Sequence, residues 1–295
     1  MMSIRLASLP SPDLSLASFH IGPLTIHIYA LCIVAGIIVA VLVTDRRLRR
    51  RGVTSWTVID VALWTVPLGI IAARFYHVLT HGSDYFYPGA NLSNVFAIWD
   101  GGNAIYGSLI GGAVGMYIGC RRAGLRFWAF ADALAPALLI SQAIGRLGNY
   151  FNQELFGMPT TLPWGLEISP EAPMFPQGMP AGTLFHPLFL YEMIWNLLGA
   201  AVIILLARRF TLDWGRSIAI YLVWYGVARS GLEAIRIDPT SDAPLGVPAN
   251  IWASFVVALA GITLFTVQSI RHREPEPSPY LREPHLATAQ VHASR

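Results

Sequence analysis

The chain has 295 residues, of which 54% are hydrophobic and only 13% charged, with a formal net charge of +3. A charged share about half that of ordinary soluble domains excludes a water-soluble globular fold and points to an integral membrane protein. All 20 basic residues are arginine; they serve as topology signals, and the charge calls for no nucleic-acid partner.

A spanning helix needs about 20 mostly apolar residues. Seven stretches qualify: 24–44, 56–79, 95–119, 128–148, 186–206, 216–235 and 249–270. On this segmentation fifteen arginines fall on one side and two, Arg5 and Arg236, on the other. The positive-inside rule then puts the N-terminus outside and the C-terminus in the cytoplasm. The expected fold is an all-α polytopic membrane protein with seven transmembrane helices and a small external cap. Residues 1–23 form an external segment, 24–270 the membrane domain with its cap at 149–185, and 271–295 a disordered, proline-rich cytoplasmic tail.

Residues 1–23 lack the basic start, apolar middle and small-residue cleavage site of a signal peptide. His27 and Tyr29 stand near the outer end of the first stretch, where tyrosine is ordinarily an interface anchor. Cys32 and Cys120 fit no metal or redox spacing and read as small buried residues. The segment from Trp99 through Gly101, Gly102 and Asn103 to Tyr106 is too glycine-rich for a simple helix start and suits a site wall. Gly107, Gly111, Gly115 and Gly119 follow at four-residue spacing, a stripe that lets another helix approach closely. Asp132 lies at the cytoplasmic start of the fourth stretch, where a carboxylate suits the helix dipole. It is about 20 Å along the helix from Arg146, too far for joint chemistry.

The most informative segment runs Gly145-Arg146-Leu147-Gly148-Asn149-Tyr150-Phe151-Asn152-Gln153-Glu154-Leu155-Phe156-Gly157. Ionisable groups at the edge of a span are costly in lipid and face a bundle interior or a wet cavity. If the helix continues, Arg146, Asn149 and Gln153 share a face, with Glu154 off it unless a break at Gly148 or Gly157 redirects it. An arginine with amide neighbours suits a planar anion such as a phosphodiester, or else an interhelical polar clamp. The loop 149–185 carries six prolines, Pro159, Pro163, Pro170, Pro173, Pro176 and Pro180. Beyond it, His186-Pro187-Leu188-Phe189-Leu190-Tyr191-Glu192 opens the fifth stretch, and Glu192 would sit inside the span. Arg229, Glu233 and Arg236 form an i, i+4, i+7 ladder at the outer end of the sixth, a structural ion pair or half of a joint anion site with Arg146.

Together these elements resemble the bacterial prolipoprotein diacylglyceryl transferase family. The thirteen residues from Gly145 match its signature GR-x-GNF-x-N-x-E-x-x-G, with Tyr150 where phenylalanine is usual. His186-Pro187 with Leu190-Tyr191-Glu192 resembles its HP-x-x-LYE element, and Tyr225-Gly226 with Arg229 and Glu233 its YG-x-x-R-x-x-x-E element. The resemblance implies transfer of the diacylglyceryl group from phosphatidylglycerol to the lipobox cysteine of prolipoproteins still carrying their signal peptides. A thioether forms and glycerol phosphate leaves, in the bacterial cytoplasmic membrane with the site toward its outer face.

It further implies catalytic roles for Arg146, Arg229 and Tyr106, and substrate contacts for Arg146, Asn149, Glu154, Glu233, Tyr29, His186, Tyr191 and Glu192. Asp132, Gly101, Gly102, Gly145, Gly148 and Gly157 are structural, and neither a cofactor nor a metal is expected. Many family members have histidine where this chain has Tyr106, and a phenol with a pKa of about 10 is a poor base at neutral pH. Either an arginine activates Tyr106, another residue acts, or the arginine field suffices; the last is preferred. The rival readings are a transporter or channel for an anionic substrate and a non-catalytic lipid-binding scaffold.

Overall fold

The computed structural model describes residues 8–98, 104–237 and 244–282, without the side chains of residues 105, 106 and 244. The expectations placed on Gly101, Gly102 and the Tyr106 phenol therefore lie outside the described residues. The helices are α1 (Ile28–Arg49), α2 (Thr57–Thr80), α3 (Gly82–Tyr85), α4 (Ile105–Arg122), α5 (Phe127–Phe151), α6 (Leu188–Arg209), α7 (Arg216–Glu233) and α8 (Ala249–Arg271). Two antiparallel pairs accompany them, β1 (Ser18–Ile21) with β2 (Leu24–His27) and β3 (Leu166–Glu167) with β4 (Leu184–Phe185).

Among the described residues five helices, α1, α2, α5, α6 and α8, are long and apolar enough to cross a membrane. Leu31, Val34 and Ile38 of α1 and Phe255, Val256 and Ile262 of α8 are exposed. Apolar surface on that scale suits a lipid solvent, and the protein is a multi-pass membrane protein. Helices α4 and α7, 18 residues each, occupy the third and sixth apolar stretches. Helix α4 starts at Ile105 where the apolar stretch began at 95. A 3-10 turn at Leu92–Phe96 comes first, and the Gly-Gly-Asn that follows is a poor helix former.

The chain divides into two compact units, residues 1–43 with 131–275 and residues 44–130 with 276–295. In the second unit α2 and α4 pack backbone to backbone. A Cβ at Gly107, Gly111 or Gly115 would run into the carbonyl oxygens of Ala72, Leu68 or Trp64, and one at Gly119 would lie 2.8 Å from Val61 Cα. Van der Waals packing is the main source of helix association in lipid, so this seam is what holds the pair. Arg74 is buried on α2. Its guanidinium donates to the carbonyls of Val95 (2.9 Å) and Asn94 and lies 5.0 Å from the Tyr85 ring centre.

The same unit contains part of the tail that composition marked as disordered, and residues 276–282 depart from that expectation. The fully buried Glu276 carboxylate pairs with Arg51 at 2.8 Å. Arg126 donates to Pro279 and Tyr280 carbonyls, Leu281 N–H to Gly124, and Thr54 N–H to the Tyr280 hydroxyl. A segment with few apolar residues is ordered here because its backbone and one carboxylate are satisfied by the loops it lies on. Residues 283–295 lie outside the described residues.

In the first unit α7 and α8 meet through Gly226, whose Cβ would stand 2.6 Å from Ser254 O, and Gly261, whose Cβ would stand 2.8 Å from Ala219 O. Trp195 of α6 and Trp224 of α7 exchange indole N–H bonds with each other's carbonyls, at 3.2 and 3.0 Å. Residues 152–187 form a small cap whose apolar cluster of Phe156, Leu166, Ile168, Ala172 and Phe185 is completed by Phe189 of α6. Leu9 adds to β3 in parallel, and the chain at Met158 and Thr160 pairs with the β4 side.

The glycine seam makes a specific prediction. Gly115→Leu should destabilise the protein by about 1–3 kcal/mol or more, because the obstruction is backbone. Gly112→Ala, where a Cβ meets nothing within 4 Å, should not. Thermal unfolding in detergent micelles checks this, and equal melting points for the two variants contradict the seam.

Candidate active site

Helix α5 ends in a Schellman-type turn: Gln153 N–H donates to Tyr150 O at 3.2 Å and Glu154 N–H to Asn149 O at 3.0 Å. Gln153 takes a left-handed φ of 50°, as the residue after a helix C-cap commonly does. The reversal has two consequences. Glu154, which a straight helix would point away, comes back over the last turn, where its Oε1 accepts from Asn149 Nδ2 at 2.8 Å and Asn152 Nδ2 at 3.3 Å. Gln153, expected beside Arg146 and Asn149, instead turns into the cap. Its amide donates to Pro12 O and accepts from Ser169 N–H.

Three helix ends then meet around charge. Arg146 of α5 donates to Asn149 Oδ1 at 3.1 Å and pairs through Nε with Glu192 of α6 at 2.5 Å. Arg229 of α7 lies 3.9 Å from the other oxygen of Glu192 and 3.0 Å from Glu233. Glu233 also faces Arg236 at 3.7 Å and accepts from Asn250 of α8 at 3.2 Å. The Glu233 side chain is fully buried, and those of Glu192, Arg146 and Arg229 are 11%, 24% and 19% exposed. Ion pairs so shielded act in a low dielectric, where an unpartnered member is expensive. The arrangement can hold an anion between two guanidiniums, a place that the Glu192 carboxylate fills.

Arg146, Asn149, Glu154, Glu192, Arg229 and Glu233 are thus brought into one network. The prolipoprotein diacylglyceryl transferase family model matches residues 17–267. The chain belongs to that family. It is 58% identical over 288 residues to the phosphatidylglycerol–prolipoprotein diacylglyceryl transferase of Leifsonia xyli subsp. xyli (strain CTCB07), covering 95% of this chain and 86% of that relative. Proteins of the same name from Cutibacterium acnes (strain DSM 16379 / KPA171202) and Bifidobacterium longum (strain DJO10A) are 49% and 46% identical. They cover 88% and 90% of this chain and 87% and 86% of their own lengths.

Of the other family-motif residues, Tyr29, His186 and Tyr191 contact the end of α5, the cap and the start of α6, and Asp132 lies at the far end of α5. Tyr29, the second residue of α1, packs on Gly148, where a Cβ would stand 2.6 Å from its ring. His186 N–H donates to Met158 O, and its carbonyl accepts from Gly157 N–H at 2.9 Å. Its Nδ1 lies 3.2 Å from the Tyr191 hydroxyl, which also accepts from Trp164 Nε1 at 2.9 Å. His186 and Tyr191 thus tie the cap to α6. Asp132 accepts the N–H groups of Gly215 (2.7 Å) and Ile218 (3.1 Å). Its charge therefore serves the N-terminus of α7, not that of its own helix as the sequence suggested.

Sequence reasoning missed two features. Asn250, an amide in the first turn of the last span, carried a signal only in lying at the same end as Glu233. The bridging position of Glu192 carried none, because pairing across helices α5, α6 and α7 is not written in local spacing.

The motif glycines differ in what they do. A Cβ at Gly157 would stand 2.7 Å from Ile235 O and 2.8 Å from His186 Cβ, whereas at Gly145 it would meet nothing within 4 Å. Gly157→Ala should therefore cost about 1–3 kcal/mol. Gly145→Ala should be neutral or stabilising by about 0.5–1 kcal/mol, since alanine restricts the unfolded chain. Denaturation in lipid nanodiscs tests both, and a destabilised Gly145→Ala protein would contradict the open space.

Proposed function

We propose that this chain transfers the diacylglyceryl group of phosphatidylglycerol to the lipobox cysteine thiol of a prolipoprotein at the Arg146–Glu192–Arg229 cluster. The observation that carries this is the pair of guanidiniums, from α5 and α7, closing on one anion position. The donor's phosphodiester is that anion. As the sulfur attacks the glyceryl carbon and the carbon–oxygen bond breaks, the leaving glycerol phosphate gains a second negative charge. Arg146 and Arg229 stabilise it, the usual electrostatic contribution to such a step.

Asn149 and Glu154 orient the glycerol headgroup by hydrogen bonds, and Glu233, held by Arg236 and Asn250, positions Arg229. Tyr29 lies beside this end of α5 and contacts substrate where lipid enters. His186 and Tyr191 carry the cap side of the peptide path. Asp132, Gly148 and Gly157 hold the helix ends in register. The full topology is seven spans in the bacterial cytoplasmic membrane, N-terminus outside. Helices α4 and α7 supply the two spans that polar residues make less apolar, and the site faces the outer leaflet. The one-sided arginine distribution supports that orientation.

Purified protein incubated with phosphatidylglycerol and a lipobox peptide should raise the peptide mass by one diacylglyceryl group, and a serine-for-cysteine peptide should stay unmodified. No mass gain, next to an active relative assayed in parallel, overturns the assignment. Arg146→Ala should lower kcat by about 10²–10³-fold with the protein folded; full activity in that variant would remove the phosphate clamp.

A further inference from the structure

The geometry points to Glu192 as the base that takes the thiol proton, an inference that rests on the reaction proposed above. Among the described residues of the network, the guanidiniums of Arg146, Arg229 and Arg236 pair with the carboxylates of Glu192 and Glu233, and a third carboxylate, Glu154, joins them through the Asn149 amide. The charges cancel. The positive field that the sequence offered as sufficient to ionise the thiol is therefore answered by carboxylates already in place.

A phosphodiester brings one more negative charge and competes for the donors of Arg146 and Arg229. Among the described residues, one carboxylate, that of Glu192, lies between those two arginines. Glu233 is fully buried and shared among Arg229, Arg236 and Asn250, and Glu154 is fixed by two amides on its own turn. Glu192 is the group the phosphate displaces.

Once displaced, its carboxylate lies in a partly buried site beside the bound phosphate, with both cations engaged elsewhere. The groups around it are Arg146 and its partner Asn149 on α5, Arg229 and Glu233 on α7, and Tyr191 on α6. The Tyr191 hydroxyl is occupied by Trp164 and His186. The Glu192 oxygens, no longer held by the two guanidiniums, are then open to accept a proton. The proton comes from the approaching thiol.

The step balances. The S–H proton moves to a Glu192 oxygen and the sulfur forms its bond to the glyceryl carbon. The carbon–oxygen bond breaks, its electron pair leaving on glycerol phosphate. The network with its contents carries the same net charge before and after. Donor binding thus switches the base on, so Glu192 stays in a guanidinium pair until phosphatidylglycerol arrives.

The test compares two acceptor peptides, one with the lipobox cysteine and one with selenocysteine, whose selenol is a stronger acid and is ionised at neutral pH without a base. With the wild-type protein both are transferred; failure there rejects the proposed reaction and not the role of Glu192. Glu192→Gln should lose about 10²–10⁴-fold in kcat with the cysteine peptide, the range expected for a general base. It should stay within about tenfold of wild type with the selenocysteine peptide, with KM for phosphatidylglycerol unchanged or lower. Equal losses with both peptides assign Glu192 to positioning alone and overturn the inference, as does undiminished transfer to cysteine. Should Glu192→Gln not fold, Glu192→Ala in native membranes with added formate is the second arm. Restored cysteine transfer supports the role, and no restoration overturns it.

Discussion

A carboxylate shared by two arginines at the edge of an apolar bundle can exist only if three helices hold their ends together, because each charge taken from water must find a partner nearby. Glu192 between Arg146 and Arg229 is that constraint. It fixes where α5, α6 and α7 converge, and the neighbouring devices maintain the convergence. The helix reversal after Phe151 turns Glu154 back on Asn149, Asn250 reaches Glu233 from α8, and Gly157 lets the cap strand lie against Ile235 and His186. Loss of any one leaves a charge or an amide without its partner in a medium that cannot replace it.

Close packing supplies what the polar contacts need. In lipid there is no hydrophobic gain from pairing helices, so approach distance decides. Small residues set that distance at the α2–α4 and α7–α8 seams and where Tyr29 meets Gly148. The latter two lie in the unit that contains the charge network. An ångström at a seam becomes an ångström at a guanidinium, which separates a bridged carboxylate from an uncompensated one.

The network also changes how the thiol's activation is understood. Two arginines alone suggest a positive field; in the reaction proposed above, two arginines with their carboxylates act as a relay in which binding one anion frees another. Tyr106 then need not carry a proton that its phenol is ill suited to take.

What the sequence determined by itself is local and additive. Hydropathy gives the apolar helices, because twenty apolar residues prefer lipid wherever their neighbours lie. The thirteen residues from Gly145 and the Arg229–Glu233 ladder name the charged groups, because an ionisable residue in a span is costly in any arrangement. Composition misread residues 276–282, since it counts few apolar groups and cannot see that Arg51, Gly124 and Arg126 lie in wait for Glu276 and the Tyr280 backbone. Only the tertiary structure decided that Glu192 joins Arg146 to Arg229, that Gln153 leaves the face its spacing assigned, and that Asp132 caps α7. Each depends on where another helix ends, and a Coulomb partner or a hydrogen bond is chosen by distance in space, which helical spacing along one segment does not contain.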